Sequence, residues 1–384
     1  MAKAEIGAEV ASNAGDIPMA SNQVADPDAV RGSLAESRLP GMGADSMPYP
    51  PSWVDRLTEW VRRLPLPSWA FYLALGLISA SLFTPLTWIT GLVPEGTFPL
   101  YYVLSVLTGV YVLALLHYLD DSAAASLKRF RPVMAVDDAE YERLYYKFTT
   151  MPRRPVLVAN MLGAIYAVIL LLSFDTTDTT IAAGAMSPAQ VAVAIVSFLF
   201  SYILTATMIY HTIHQLRLVN EIYTRYTRIN LFQPGPMYAL SRLTARTAIG
   251  LSIPTYAWFQ ATTGSSADAP GEMPFFAVLI ALTFVWPLLG AHGLLGREKE
   301  RLKDEVSKRI EATIVELQTR VDSGDVHDRG ALKDTLEGLV ASQGVIDKLR
   351  TWPWQTQTVS GLGAALLLPL IVWVIQRVLE RLGI

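Results

Sequence analysis

The chain has 384 residues, 52% of them hydrophobic and 17% charged, with a formal net charge of −3 and a mean hydropathy of +0.33. Its apolar residues fall in blocks of roughly 17 to 24 without Lys, Arg, Asp or Glu, long enough to cross a bilayer, which excludes a soluble globular protein. The charge balance excludes a nucleic-acid binder driven by net charge, and the absence of cysteine removes disulfides, thiol catalysis, iron–sulfur ligation and Cys-type zinc sites.

Residues 1–50 are rich in Ala, Ser, Gly, Asp and Pro, lack the basic–apolar–small pattern of a signal peptide, and read as a disordered tail. Trp53, Leu57, Trp60 and Val61 recur at helical spacing in WVDRLTEWVRR, which predicts an amphipathic helix at the membrane interface. Seven spans follow, near 69–92, 99–118, 155–174, 189–211, 246–263, 273–295 and 357–379. The fifth is the most polar, with Pro254, Gln260 and several hydroxyls, and Pro85, Pro287 and Pro369 interrupt the first, sixth and seventh. A proline there marks either packing geometry or a functional bend.

Charge fixes the orientation. The connections near 93–98, 175–188 and 264–272 carry Glu95, Asp175, Asp178, Asp268 and Glu272 but no Lys or Arg. All the basic residues except Arg377 and Arg381 lie in the N-terminal segment and the connections near 119–154, 212–246 and 296–350. Positive residues stay on the cytoplasmic side, so the N-terminus is inside and, with seven spans, the C-terminus outside. Since Arg377 and Arg381 then end up outside, a re-entrant or interfacial last segment is the alternative.

Beyond the sixth span, Leu302, Val306, Ile310, Ile314, Leu317 and Val321 form one helical stripe among charges of both signs, and no breaker separates this stretch from the span. Span and stripe together predict one helix of about 48 residues, about 70 Å long at 1.5 Å per residue. A turn at 322–330 leads to a second stripe, Leu332, Leu336 and Val340, extending to Ile346 and Leu349. The two arms predict a cytoplasmic helical hairpin, coiled-coil-like in its single seam. Trp352-Pro353-Trp354-Gln355 marks the return to the membrane, where Trp concentrates. Each arm has one apolar stripe, which suits either intramolecular packing or contacts between copies.

The 119–154 connection holds Asp120-Asp121 and an acidic helix start at Asp137–Glu142, favourable at a helix N-terminus. The basic, aromatic 212–246 connection suits anionic lipid headgroups rather than nucleic acid. The histidines are His117, His211, His214, His292 and His327. His211 and His214, i and i+3 on one helix face, are metal-ligand candidates only with further ligands, so no metal and no cofactor are expected. His117 and His292 lie at the inner ends of other spans, which makes a cluster at one membrane depth conceivable. No phosphate loop, Ser-His-Asp set or zincin motif appears, so no enzyme is expected.

No span carries an ionisable residue at its centre, which disfavours an ion-coupled transporter. The intramembrane polar candidates are Asn160, Gln260 and Gln376, with hydroxyls at Ser197, Ser201 and Thr205 on one helix face that suit helix packing. Gln376 follows the apolar run Ile371–Ile375 near the outer end of the last span, where an amide needs a partner or the water of a pore.

The helix order, the extended sixth helix, the cytoplasmic helix before the last span, and the frame of five apolar residues followed by Gln376 together resemble the seven-helix ligand-gated cation channels of the insect odorant and gustatory receptor type. The resemblance covers about 300 residues by topology. It implies a tetramer whose last helix lines the pore, with Gln376 facing it and the hairpin in the cytoplasmic anchor. The Thr-Tyr and Phe of that family's final helix are replaced here, by Pro369-Leu370 and Arg377, which leaves ligand gating unsupported.

The expectation is an all-α polytopic protein of the cell membrane: tail 1–50, six-helix transmembrane domain with cytoplasmic loops 51–295, cytoplasmic helical hairpin 296–350, and C-terminal transmembrane helix 351–384. Its expected function is channel- or sensor-like, in a homo-oligomer within the lipid bilayer. The alternatives are a transporter of an uncharged or lipidic substrate, and a scaffold recruiting a cytosolic protein through residues 300–348.

Overall fold

The structure, a computed structural model, describes residues 48–91, 93–173, 187–228, 231–232, 234–262, 272–323 and 329–382. His327, Asp175, Asp178 and Asp268 lie outside the described residues, as do the side chains of Gln260 and Gln376. Ten α-helices form among the described residues: α1 Trp53–Arg62, α2 Ser68–Ile89, α3 Leu100–Phe130, α4 Asp138–Thr149, α5 Arg153–Ser173, α6 Pro188–Arg225, α7 Tyr238–Thr262, α8 Glu272–Asp322, α9 Arg329–Asp347 and α10 Thr356–Leu382. Five of them, α2, α3, α5, α6 and α8, are long and apolar enough to cross a membrane. The segments expected as fifth and seventh spans are helical, as α7 and α10, but are not among those five when only the described residues are considered. The first turns of α7 explain its polarity. Ser241, Thr244 and Thr247 are fully buried and turn their hydroxyls back onto the carbonyls of Tyr238, Ser241 and Leu243.

Two helices run further than the sequence suggests. The helix of the expected second span continues beyond 118 to Phe130, so Asp120 and Asp121 sit on a helix rather than in a loop. Its extension is buried on Leu127 and Phe130, which pack against Leu218, Ile222 and Tyr223 of α6 and Leu240 and Leu243 of α7. The sixth span and the following stripe are one helix, α8, of 51 residues.

α3 lies at the centre, packed by α2, α6 and α7, while α6 also carries α5 and α8, and α10 leans on α7. At the edge, α5 leaves Leu157, Val158, Met161, Leu162, Ile165 and Leu172 exposed, and α2 leaves Leu73, Leu77, Leu82 and Ile89 exposed. Apolar faces of that extent belong against lipid, not water. α5 approaches α6 so closely at Gly163 that a Cβ there would stand 2.7 Å from the Tyr202 carbonyl oxygen.

The helix ends on the basic side are tied by short backbone ladders. Ser52 N–H donates to the Met151 carbonyl (3.0 Å) and Arg153 N–H to that of Pro50 (3.2 Å). Ala135 N–H donates to Tyr226 (2.8 Å) and Arg228 N–H to Val133 (2.8 Å). Tyr49, at the end of the segment expected to be a tail, donates its hydroxyl to the Thr150 carbonyl (2.8 Å), and its own carbonyl accepts from Tyr146 (2.7 Å). In α4, Asp137 caps the Glu140 N–H (2.7 Å), as the acidic start predicts.

The hairpin forms from the far half of α8 and from α9. Its seam is only half-buried along Leu302, Val306, Ile310 and Leu317 on one arm and Leu332 and Leu336 on the other. Leu339, not Val340, continues the second stripe; Val340 is exposed. At its base, Ile346 is buried and Lys299 donates to the carbonyls of Asp347 (2.8 Å) and Leu349 (2.9 Å), ending α9 against α8.

Candidate functional site

A group of buried polar side chains lies where α1, α3 and α6 meet at the basic-side ends of the apolar helices. α1 starts with a capping box: Ser52 accepts from the Asp55 N–H (3.3 Å), and the Asp55 carboxylate accepts from the Ser52 N–H (2.9 Å). The same Asp55 oxygen accepts from Met151 N–H (3.2 Å), joining α1 to the strap before α5. The buried face of α1 is Val54, Asp55, Thr58 and Val61; Trp60, expected on the apolar stripe, is exposed. Burial pushes the Asp55 carboxyl above its ordinary value, the charge of Asp120 adds to this, and the Ser52 and Met151 bonds oppose it.

On α3, His117, Asp120 and Asp121 stand at i, i+3 and i+4, so one turn presents all three. Asp120 and His211 of α6 are 3% and 2% exposed and joined by a bond of 2.9 Å between Asp120 Oδ1 and His211 Nε2. The other oxygen of Asp120 and the other nitrogen of His211 have no hydrogen-bond partner, and neither do Asp55 Oδ1, Thr212 Oγ1 or the amide of Gln215. Buried polar groups are normally satisfied, and each exception costs about 1–3 kcal/mol. His117 completes the group. Its Nδ1 lies 3.2 Å from the Tyr72 hydroxyl, and its Nε2 lies 3.6 Å from Asp121, which also accepts from Arg62 (2.8 Å).

The structure thus separates the two metal-ligand candidates. His211 faces Asp120, whereas His214 donates from Nε2 to the Lys147 carbonyl (3.0 Å) and stacks on Tyr210. Among the described residues no three His, Asp or Glu side chains are placed to hold a metal ion.

Asn160 belongs to the adjoining helix contact. With its amide oriented to satisfy its neighbours, it accepts from Trp53 Nε1 (2.8 Å) and donates to Thr207 Oγ1 (2.6 Å) and the Val156 carbonyl (3.2 Å), tying α1, α5 and α6 together. The other two polar candidates, Gln260 and Gln376, sit in α7 and α10. His292 does not join His117. It stacks on Trp352 (centroids 4.0 Å apart), Trp352 stacks on Trp354 (4.1 Å), and Trp354 meets Phe284 (5.4 Å). Arg242 donates to Gln355 (2.8 Å) beside this stack.

Sequence reasoning placed Asp120, Asp121, His117 and His211 individually but missed that Asp55, Arg62 and Tyr72 join them. The His117–Asp121 spacing of i, i+4 at the end of an apolar run was the available signal.

The fold and this site define an all-α chain with five helices suited to crossing a membrane and a buried imidazole–carboxylate group at their basic-side ends. No protein-family model matches it, and neither does any curated protein or solved structure.

Proposed function

We propose that this is a channel- or sensor-like, non-enzymatic protein of the cell membrane. In this reading seven helices (α2, α3, α5, α6, α7, α8 and α10) cross the bilayer, the N-terminus and hairpin are cytoplasmic, and identical copies assemble with α10 beside the axis. The observation that supports it most is the seating of α10. That helix rests on α7 and α8 through Leu362 and Leu366 and leaves Val359, Leu367, Ile371, Val374, Ile375 and Val378 uncovered. A terminal helix held on one side has a face available to neighbouring copies. The resemblance of its apolar run and Gln376 to the last helix of the insect receptor-type channels agrees with that placement.

Planar-bilayer recording of the purified chain, with its mass in detergent, tests this. Single-channel currents from an oligomer, altered by Gln376→Leu, are expected. A silent monomer indifferent to Gln376→Leu overturns the reading. Saturable uptake without conductance points instead to a transporter of an uncharged or lipidic substrate. The hairpin favours a scaffold as the second reading, because Val315, Val321, Val340 and Val345 are exposed on its outer surface. Deleting residues 300–348 then abolishes capture of a cytosolic partner while membrane insertion persists.

A further inference from the structure

A cavity of about 210 Å³ opens where α8 leaves the apolar region and the chain returns toward α10. One wall is apolar, built from Leu231, Met237, Leu295 and Trp352, and Lys348 and Arg350 form the other. Among the described residues, neither Lys348 nor Arg350 is ion-paired. In the segment 346–355 the one carboxylate is Asp347, which turns away to pair with Lys303 (2.7 Å). Lys303 accordingly holds the Asp347 carboxyl below its ordinary value. Arg350 makes one long bond, to Thr356 Oγ1 (3.5 Å). The cavity is therefore lined by two cations together with apolar side chains, Trp352 of the tryptophan stack among them.

We propose that this cavity binds the phosphate of an anionic phospholipid, with Lys348 and Arg350 on the headgroup and the glycerol and first acyl carbons against Leu295, Met237 and Trp352. Two basic side chains match a phosphate ester electrostatically, and Arg offers it a planar fork. A free phosphate would leave the apolar wall wet, whereas a lipid covers both walls at once. The site rests on the membrane reading, since it needs the exit of α8 to lie at the bilayer surface, but it does not depend on channel activity.

The test uses the full chain in neutral detergent, titrated with short-chain phosphatidylglycerol, short-chain phosphatidylcholine or inorganic phosphate, with bound ligand counted by native mass spectrometry. One phosphatidylglycerol per chain is expected to saturate, ahead of phosphatidylcholine. Lys348→Gln with Arg350→Gln is expected to weaken it about 30-fold, at roughly fivefold per basic side chain. Lys308→Gln with Arg309→Gln removes the same charge from the exposed arm of α8 and is expected to change nothing. Equal binding of the two lipids, an equal loss in the arm variant, or phosphate binding as well as the lipid does overturns the proposal. Alkaline extraction of native membranes checks the underlying reading separately: a chain that leaves the membrane refutes the membrane assignment, whereas one that stays while the lipids do not discriminate refutes only the site.

Discussion

Asp120 and His211 form a buried pair in which each partner shields the other from an uncompensated low-dielectric site. Removing one member of such a pair strands its partner and costs about 3–5 kcal/mol, while replacing both with apolar residues is often neutral. Asp120→Ala is therefore expected to destabilise the protein by about 3 kcal/mol, and Asp120→Leu with His211→Leu to recover most of that loss, read from thermal unfolding in detergent. Asp55 behaves differently because its proton affinity is raised by burial and by Asp120. The folded state holds that proton more tightly than the unfolded state does. Its contribution is fully present below the ordinary carboxyl value of 3.8 and is lost as pH rises through the raised folded value. Asp55→Asn, which keeps an acceptor for the Ser52 and Met151 N–H groups, is expected to flatten that part of the stability–pH curve. An unchanged slope would show that Asp55 does not titrate there.

At the scale of helices, contact geometry sets the tolerances. Gly163 lets α5 lie against the backbone of α6, and a Cβ there meets Tyr202 O and Ala206 Cβ, neither of which can swing aside as a long side chain would. Gly163→Ala is expected to cost about 1–3 kcal/mol by forcing the helices apart, visible as a lower melting temperature. The Lys303–Asp347 pair at the hairpin base is solvent-facing, so Lys303→Ala should leave the melting temperature almost unchanged. Element existence was legible wherever the apolar pattern was long. The continuity of α8 followed from the lack of a breaker, and the start of α4 from its acidic cap. The far end of α3 was not legible, because Asp120-Asp121 reads as the end of a span when only hydropathy is considered. The helix continues since those carboxylates meet His211 and Arg62, which are distant in sequence. Leu339 and Val340 both fit a helical stripe, and only the approach of α8 decides that Leu339 faces inward. The candidate site was legible as single residues but not as a group, because α1 reaches it through backbone pairing of 50–52 with 151–153 that leaves no sequence pattern.

For the molecule as a whole, the orientation can be tested directly because the chain has no cysteine. Single cysteines report sidedness without background. Thr97→Cys, between α2 and α3, is expected to react with an impermeant maleimide on intact cells, and Ser342→Cys, on α9, only after lysis. The reverse pattern would invert the topology. Mechanically, α8 is one continuous helix about 76 Å long, taking 51 residues at 1.5 Å each. Lys299 clamps it to the end of α9, and about 23 residues, or roughly 35 Å, extend beyond that fulcrum. A rotation of about 5° there displaces the tip by about 3 Å. The same tilt shears the membrane-side portion in the opposite sense, against α6 and α7. A lateral load at the hairpin tip is thus passed, reversed in sense and little changed in size, to the comparable arm of about 40 Å that runs from Lys299 back to Glu272 against α6 and α7.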